Sequence, residues 1–305
     1  MQCIIITILN TECIRTKTRR DKDLKIIAGP ASQLLASRVA RELDIVPSLC
    51  EFNRFPDGEL YSRVLDDQID DVTIIQSTPT DSDIIALLQL IDACEEAPTI
   101  NVVIPYMGYA RQDKIFNKGE PISARTVART INADRVFTVN VHESSILEHF
   151  NADTFDLDAS HLLGDYIRSL NLTDPMIISP DAGAISIVES TAYDVGIEHD
   201  YLEKTRLSGD TVTIKTKQID VTGREVILLD DMIATGGTMA ESIKMLREQG
   251  AKDVYIACIH PILAKNAILR LYNAGVHEII ATDTIEKAQS RVSVAPLIAE
   301  AIRSL

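Results

Sequence analysis

Residues 226–243 read VILLDDMIATGGTMAESI, a stretch that passes from strand to loop to helix within one phrase. The apolar run Val226 to Leu229 ends on two adjacent acids, Asp230 and Asp231, and small residues follow before a helical pattern begins. A glycine-bearing loop between a strand and a helix turns several backbone N–H groups toward one point, and the helix adds its positive end. Gly236 and Gly237 permit positive φ and close backbone approach, while Ala234 is small and Thr235 and Thr238 supply hydroxyl donors. Together these make a cradle for a phosphate monoester. The two carboxylates cannot hold that phosphate. At the carboxyl end of a strand they suit the vicinal hydroxyls of a sugar, or a cation. The plainer alternative is a helix N-cap with a flexible glycine turn, since acids near helix N-termini are common.

Outward from this stretch, short β-rich runs alternate with helical ones from Lys25 onward. KIIAG, VTIIQST, NVVIPYM, RVFTVNVH, MIISP, EVILLDD, VYIACIHP and EIIATD read as strands. PASQLLASRVAREL and DSDIIALLQLIDACEEA read as helices, the first opening on proline and serine. RVFTVNV, EVILLD and DVYIACI are nearly continuous in apolar residues, the mark of parallel strands covered on both faces. The fold class is therefore α/β. INVVIPYMGYAR, a helix and RVFTVNVH are echoed by EVILLDDMIATGGT, a helix and DVYIACIH, which suggests two similar units side by side.

The 305 residues allow two domains, and 46% hydrophobic with 25% charged content is ordinary for a globular chain. A formal net charge of −15 argues against a nucleic-acid tracker and against attraction to anionic membranes. The 5 cysteines show no paired spacing and no partner histidines, so they read as buried thiols of a reducing, cytoplasmic protein. No apolar run approaches the roughly 18 residues of a membrane span. The opening MQCIIITILNTECI is followed rather than preceded by basic residues, the wrong order for a secretory signal. Residues 1–24 read as an extension without an assigned role.

The stretch from Asp230 to Thr238 resembles the phosphoribosyl diphosphate loop of type I phosphoribosyltransferases, where the acids hold the ribose hydroxyls and the small loop holds the 5-phosphate. More widely, RFPDGE (54–59), PYMGYARQDK (105–114), GEPISA (119–124), VNVH (139–142), SPDAG (179–183) and EKTR (203–206) together resemble the ribose-phosphate pyrophosphokinase family, in its short archaeal form. The resemblance covers about Lys25 to Leu305. It implies two tandem type I phosphoribosyltransferase-like domains, each a mainly parallel sheet flanked by helices. The first would span 25–160 and be completed by the C-terminal helix 292–305; the second would span 161–291.

The same resemblance implies an Mg²⁺-dependent transfer of the diphosphoryl group of ATP to ribose 5-phosphate, with release of AMP. His142 and Asp181 would be linked to the metal, although Mg²⁺ prefers oxygen and His142 alone would read as a strand-end histidine. Lys204 and Arg206 would be the catalytic cations, carried on a flap. Arg111 and Gln112, with Asp113 nearby, would meet ATP, joined by Phe55, Asp57 and Glu59 of a neighbouring subunit in a homo-oligomer. No Walker sequence is present, so the phosphates need another cradle. Read without the family, RFPDGE is a Pro-Asp-Gly turn and EKTR a solvated hairpin. Ala234 with two glycines departs from the acid-bearing loop of many bacterial members. Two rivals remain at this stage: a phosphoribosyltransferase that consumes phosphoribosyl diphosphate, and a non-catalytic regulatory partner on the same fold.

Overall fold

The computed structural model describes residues 24–66, 71–202, 204–208, 211–214 and 219–305, with backbone alone for the strands inside 203–218. All but the last residue of the 1–24 extension lies outside the described residues.

In the first half, β1 (Leu24–Ala28) leads through α1 (Gln33–Glu42) to a hairpin of β2 (Cys50–Arg54) and β3 (Leu60–Val64). There follow β4 (Asp71–Ile75), α2 (Asp81–Asp92), β5 (Ile100–Ile104), α3 (Ser123–Ala128), β6 (Arg135–Val139), β7 (Asp153–Leu157) and α4 (Ser160–Ser169). The second half runs β8 (Pro175–Ser179), α5 (Ile185–Val195), β9 (Glu198–Tyr201), a hairpin of β10 (Lys204–Ser208) and β11 (Thr211–Ile214), and β12 (Glu225–Met232). It closes with α6 (Gly237–Glu248), β13 (Asp253–His260), α7 (Ala267–Ala274), β14 (Ile279–Thr282), β15 (Ser290–Val292) and α8 (Ala295–Arg303).

Both main sheets are wholly parallel among the described strands. One has the order β1-β4-β5-β6-β7, the other β15-β14-β13-β12-β8-β9. The continuous apolar runs cover both faces of each sheet. Ile27, Ile74, Val102 and Val136 pack with α2 and α3 on the outer side, while their neighbours Ile26, Ile75, Val103 and Phe137 face inward. On the second sheet Val226, Leu228 and Ile256 pack outward with α6 and α7, and Ile227, Leu229 and Ala257 face inward. Residues of α1, α4, α5 and α8 belong to the inner cluster together with both sheets. The result is five layers: helices, sheet, shared helices, sheet, helices. Truncating a fully buried member such as Leu35 to alanine costs about 2–5 kcal/mol.

The C-terminal helix α8 lies against α1, and Asp283 ties the two. Its carboxylate takes Arg38 Nη1, Ser293 Oγ at 2.7 Å and the Val294 amide at 2.8 Å.

Several boundaries differ from the sequence expectations. The first helix begins at Gln33, because the Ser32 hydroxyl accepts from the Ser77 amide instead of capping its own helix. The helix expected over residues 81–97 stops at Asp92, and β6 stops at Val139, because Asn140 takes a left-handed φ of 40°. The sheet edges β7, β9 and β15, and helices α4, α5 and α7, carry mixed patterns that periodicity alone did not separate from loop.

Only the second sheet reverses direction. From β8 the chain moves to the edge strand β9, then returns past β8 to β12 and winds the other way. Ligands in open parallel sheets bind outside the carboxyl ends of the strands at such a reversal.

Candidate active site

A cavity of roughly 690 Å³ opens at that reversal. Its walls include Asp181 after β8, Asp230 and Asp231 at the end of β12, and the whole loop from Ala234 to Thr238. From the first half come Arg111 and His142. The sheet pairing explains part of this grouping: β8 lies beside β12, so the carboxyl ends of both strands are neighbours.

The loop is built to present amides. Gly236 stands at the N-cap of α6 with φ 69°, a left-handed conformation that glycine adopts without strain. A Cβ there would also come within 3.2 Å of the Leu271 side chain. No side chain caps α6, and the first-turn amides of a helix have no partners within it. The carbonyls of this loop are occupied: Ala234 O accepts from the Ala264 amide at 2.9 Å and Thr235 O from Arg270 Nη1 at 2.8 Å. The helix start therefore lines the cavity while these two carbonyls are turned to partners elsewhere.

The acids carry the cavity's charge. Burial and the neighbouring charges of Asp231 and Asp181 push the Asp230 carboxyl up to about 8. Burial also acts to raise Asp231, but its hydrogen bond with His142 and the histidine charge outweigh it and leave the carboxyl low. The His142 Nδ1 lies 2.8 Å from Asp231 Oδ2, joining the two halves, and this bond raises the histidine pKa against the opposing effect of burial. Asp230 Oδ1 accepts from the Asp231 amide at 2.9 Å, and Asp181 Oδ1 from the Gly183 amide at 3.0 Å.

The donor set fits Mg²⁺. Asp231 and Asp181 raise the cost of charging Asp230, a cost that a divalent cation would relieve. Among the described residues no three His, Cys, Asp or Glu side chains converge as a closed metal site. Mg²⁺ characteristically keeps several waters and takes oxygens from phosphates as well as from one or two carboxylates. Asp181 is an oxygen donor of the preferred kind; His142 would serve a metal only as neutral imidazole, with its Asp231-bound proton on Nδ1.

The residues expected around ATP are more dispersed within one chain. Arg111 lines the cavity, whereas the Gln112 amide oxygen is engaged by the Ser123 hydroxyl at 2.5 Å. Asp113 forms an ion pair with Lys114 at 3.8 Å. Phe55, Asp57 and Glu59 sit on the tight turn of the β2–β3 hairpin, where the Phe55 amide donates to Glu59 O and Gly58 takes φ 96°. Phe55 is 51% exposed, with its ring edge-on to Tyr61. None of these three lines the cavity of its own chain. Lys204 and Arg206 fall on β10, paired antiparallel with β11; their side chains lie outside the described residues.

Three residues the motif reading passed over organise the His142 wall. Asn140, Asp156 and His260 carry no loop glycine or adjacent acid to mark them. Asp156 accepts from the Val141 amide at 3.0 Å and from the Thr138 hydroxyl at 2.6 Å, and burial raises its carboxyl. Asn140 donates from Nδ2 to Asp158 at 2.9 Å and accepts from the Ala159 amide at 2.8 Å. For Asn140 and His260 a polar residue at the end of an apolar strand was the available signal; Asp156 lies within the polar edge strand β7 and had none.

Of the cysteines expected to be buried, Cys94 and Cys258 are, Cys50 is half-buried, and Cys3 and Cys13 lie outside the described residues. Burial pushes Cys50 and Cys94 up to about 11. Among the described residues no helix is long and apolar enough to cross a membrane.

A tandem pair of phosphoribosyltransferase-type domains, with an amide-rich loop and paired acids at one sheet reversal, is the class that fold and site define. Comparison with known proteins narrows it. The sequence model for the N-terminal domain of ribose phosphate pyrophosphokinase matches residues 24–134, and that for the phosphoribosyl transferase domain matches 151–291. A ribose-phosphate pyrophosphokinase of Methanosarcina acetivorans is 66% identical over 283 residues, covering 92% of this chain and 100% of the relative. Ribose-phosphate pyrophosphokinase 2 of Archaeoglobus fulgidus is 47% identical over 281 residues, covering 92% and 100%. The crystal structure of phosphoribosylpyrophosphate synthetase from Mycobacterium smegmatis superposes with a TM-score of 0.81 at 34% identity, covering 92% of this chain and 98% of that one. The chain belongs to the ribose-phosphate pyrophosphokinase family. Its likeness to archaeal members, expected from EKTR and GEPISA, is borne out.

Proposed function

We propose that this chain is an Mg²⁺-dependent ribose-phosphate diphosphokinase, taking ATP and ribose 5-phosphate to 5-phosphoribosyl 1-diphosphate and AMP for nucleotide synthesis in the cytoplasm. The observation that carries this reading is the cavity in which His142 of one half meets Asp231 of the other beside the loop 234–238.

Amides of Gly236, Gly237 and Thr238, with the Thr235 and Thr238 hydroxyls, take the 5-phosphate. Asp230 and Asp231 accept from the ribose 2- and 3-hydroxyls, which fixes the sugar with its C1 hydroxyl toward the first half. The C1 hydroxyl oxygen bonds to the β-phosphorus as the bond from that phosphorus to the oxygen bridging to the α-phosphorus breaks; AMP leaves with that oxygen, and the hydroxyl proton is released to solvent. Such transfers depend on positioning and charge stabilisation more than on covalent help from the protein. Asp181, and His142 in its neutral form, would hold Mg²⁺, which when bound would neutralise phosphate charge. Arg111 adds a fixed cation at the wall. Lys204 and Arg206, on alternate positions of β10, bring two more as the hairpin closes on the triphosphate.

The turn bearing Phe55, Asp57 and Glu59 stands outside the cavity of its own chain, which supports adenine binding shared with a neighbouring subunit in a homo-oligomer. Phe55 stacks on the base and the carboxylates accept from its amine.

The reaction is tested by phosphorus NMR on protein with ATP, ribose 5-phosphate and Mg²⁺, beside a Lys204→Ala variant. Stoichiometric AMP and phosphoribosyl diphosphate are expected, slowed about 10²–10³-fold in the variant. No AMP at saturating substrate would refute the enzyme. A regulatory paralogue of the fold is disfavoured by the retention of His142, Asp181, Lys204 and Arg206 together.

A further inference from the structure

His142 and His260 end equivalent strands of the two halves, β6 plus a short extension and β13. The cavity takes the first; the second is buried, and no motif of the phosphate site includes it. Its ring nevertheless reaches across the molecule. His260 Nε2 lies 3.1 Å from the Asn140 carbonyl oxygen, and Nδ1 lies 3.0 Å from the Thr284 hydroxyl. A carbonyl only accepts, so Nε2 must carry the proton. Burial lowers the His260 pKa, so the ring is neutral and Nδ1 is an acceptor for Thr284. The Tyr106 ring packs on it with centroids 5.2 Å apart.

Both ends of this contact matter to the cavity. Asn140 has φ 40°, a left-handed conformation uncommon for non-glycine residues though asparagine tolerates it better than most, and here several bonds hold it. It lies two residues before His142. Its own amide donates to Leu157 O at 3.0 Å, and its side chain is fixed by Asp158 and Ala159. Those bonds all come from the first half; His260 supplies the one to the carbonyl, from the second. On its other side the His260 carbonyl accepts from the Ile233 amide at 3.1 Å, immediately before the phosphate loop.

We propose that His260 is a positioning residue that registers the two walls of the active site. Its ring holds Asn140, and through it His142, while its carbonyl holds the start of the loop at Ile233. The duplicated strand end thus serves twice: one histidine enters the cavity, and its counterpart fixes where that histidine stands. This inference rests on the reading of His142 as part of the active site.

The test uses full-length protein and three variants. His260→Leu removes the donor, His260→Asn keeps an amide too short to reach Asn140, and His260→Gln places an amide nitrogen near the position of Nε2. The 6 histidines are few enough for ring nitrogens to be assigned by long-range ¹⁵N–¹H NMR at fixed pH. The expected results are an Nε2–H tautomer for His260 in the wild type and displaced His142 ring signals in the Leu and Asn variants, with return toward wild type in Gln. In turnover, Leu and Asn should lower kcat about 10–100-fold with KM for ribose 5-phosphate changed less than about threefold, and Gln should recover most of kcat.

Should Leu fail to fold, the Asn and Gln pair decides the matter alone. An Nδ1–H tautomer, or unmoved His142 signals in a folded Leu or Asn variant, would overturn the proposal. So would equal losses in Asn and Gln. If the wild type forms no AMP, the diphosphokinase reading fails, and the tautomer and His142 signals still decide the clamp.

Discussion

The loop after β5 and the loop after β12 occupy equivalent places in the two halves, yet the first is tied back to the neighbouring strand end and the second opens on a helix N-terminus. After β5 the donors are consumed: the Tyr106 amide donates to Ser77 Oγ at 3.1 Å and the Gly108 amide to Thr78 Oγ1 at 2.9 Å. The approach is so close that a Cβ on Gly108 would meet Thr78 O at 2.1 Å. After β12 the acceptors are consumed and a helix N-terminus faces the cavity. Topology underlies the contrast. The first sheet runs in chain order from β1 to β7, whereas the second reverses beside β12. A reversal separates the helices on either side and leaves a crevice; a sheet wound in one direction does not. The second half therefore supplies the crevice and most of its walls, and the first lends side chains such as His142 and Arg111 across the gap.

Variants can break this division of labour. The largest effect is expected at the junction itself. His142→Ala should lower kcat about a hundredfold or more, since it removes the first half's closest contact to Asp231. Activity near wild type would show that the two halves do not act as one site.

Gly236→Val attacks the loop at its left-handed residue, where Leu271 also blocks a side chain. The expected result is a rise of about tenfold or more in KM for ribose 5-phosphate, read by initial rates; the phosphate cradle is refuted if KM is unchanged in a folded protein.

Asp230→Asn separates stability from function. A carboxyl whose folded pKa is raised to about 8 binds a proton in the folded state that the unfolded chain has released, so it erodes stability as pH climbs from about 4 to 8. His142, also raised when folded, contributes stability below its unfolded pKa that is lost as pH rises through the folded value. Metal-free protein should thus lose Tm between acid and mildly alkaline pH. Asp230→Asn should flatten that profile and raise Tm near pH 8, while weakening ribose binding. A steeper profile in the variant would refute the buried charge conflict.

Phe55→Ala should be the mildest. An exposed turn residue alters Tm little, within about 0.5 kcal/mol of stability, yet KM for ATP should rise severalfold if the ring serves a neighbouring subunit. Mixing this variant with His142→Ala sharpens the point. Shared sites between subunits predict partial recovery of activity in mixed oligomers, and self-contained sites predict none.

Much of this was legible in the chain. The buried parallel strands announced themselves as unbroken apolar runs, because a strand covered on both faces has no polar side. The strand–loop–helix at the cavity was legible because its pattern is local: strand, two acids, small residues and helix lie within a single stretch from Val226 to Ile243. Element ends were less legible. The end of β6 depends on the φ of Asn140, which is held by bonds to residues 157–159 and to His260, none of them neighbours in sequence.

By itself the sequence determined the α/β class and, through six short motifs spread from Arg54 to Arg206, the family. It also marked the loop 234–238 as a candidate phosphate cradle, because each motif is a local pattern. The tertiary structure alone decided that His142 meets Asp231 across 89 positions and that His260 reaches Asn140 across 120. Local propensity carries no information about such partners. They meet because two parallel sheets share one layer of helices, which sets the carboxyl ends of β6 and β12 against each other.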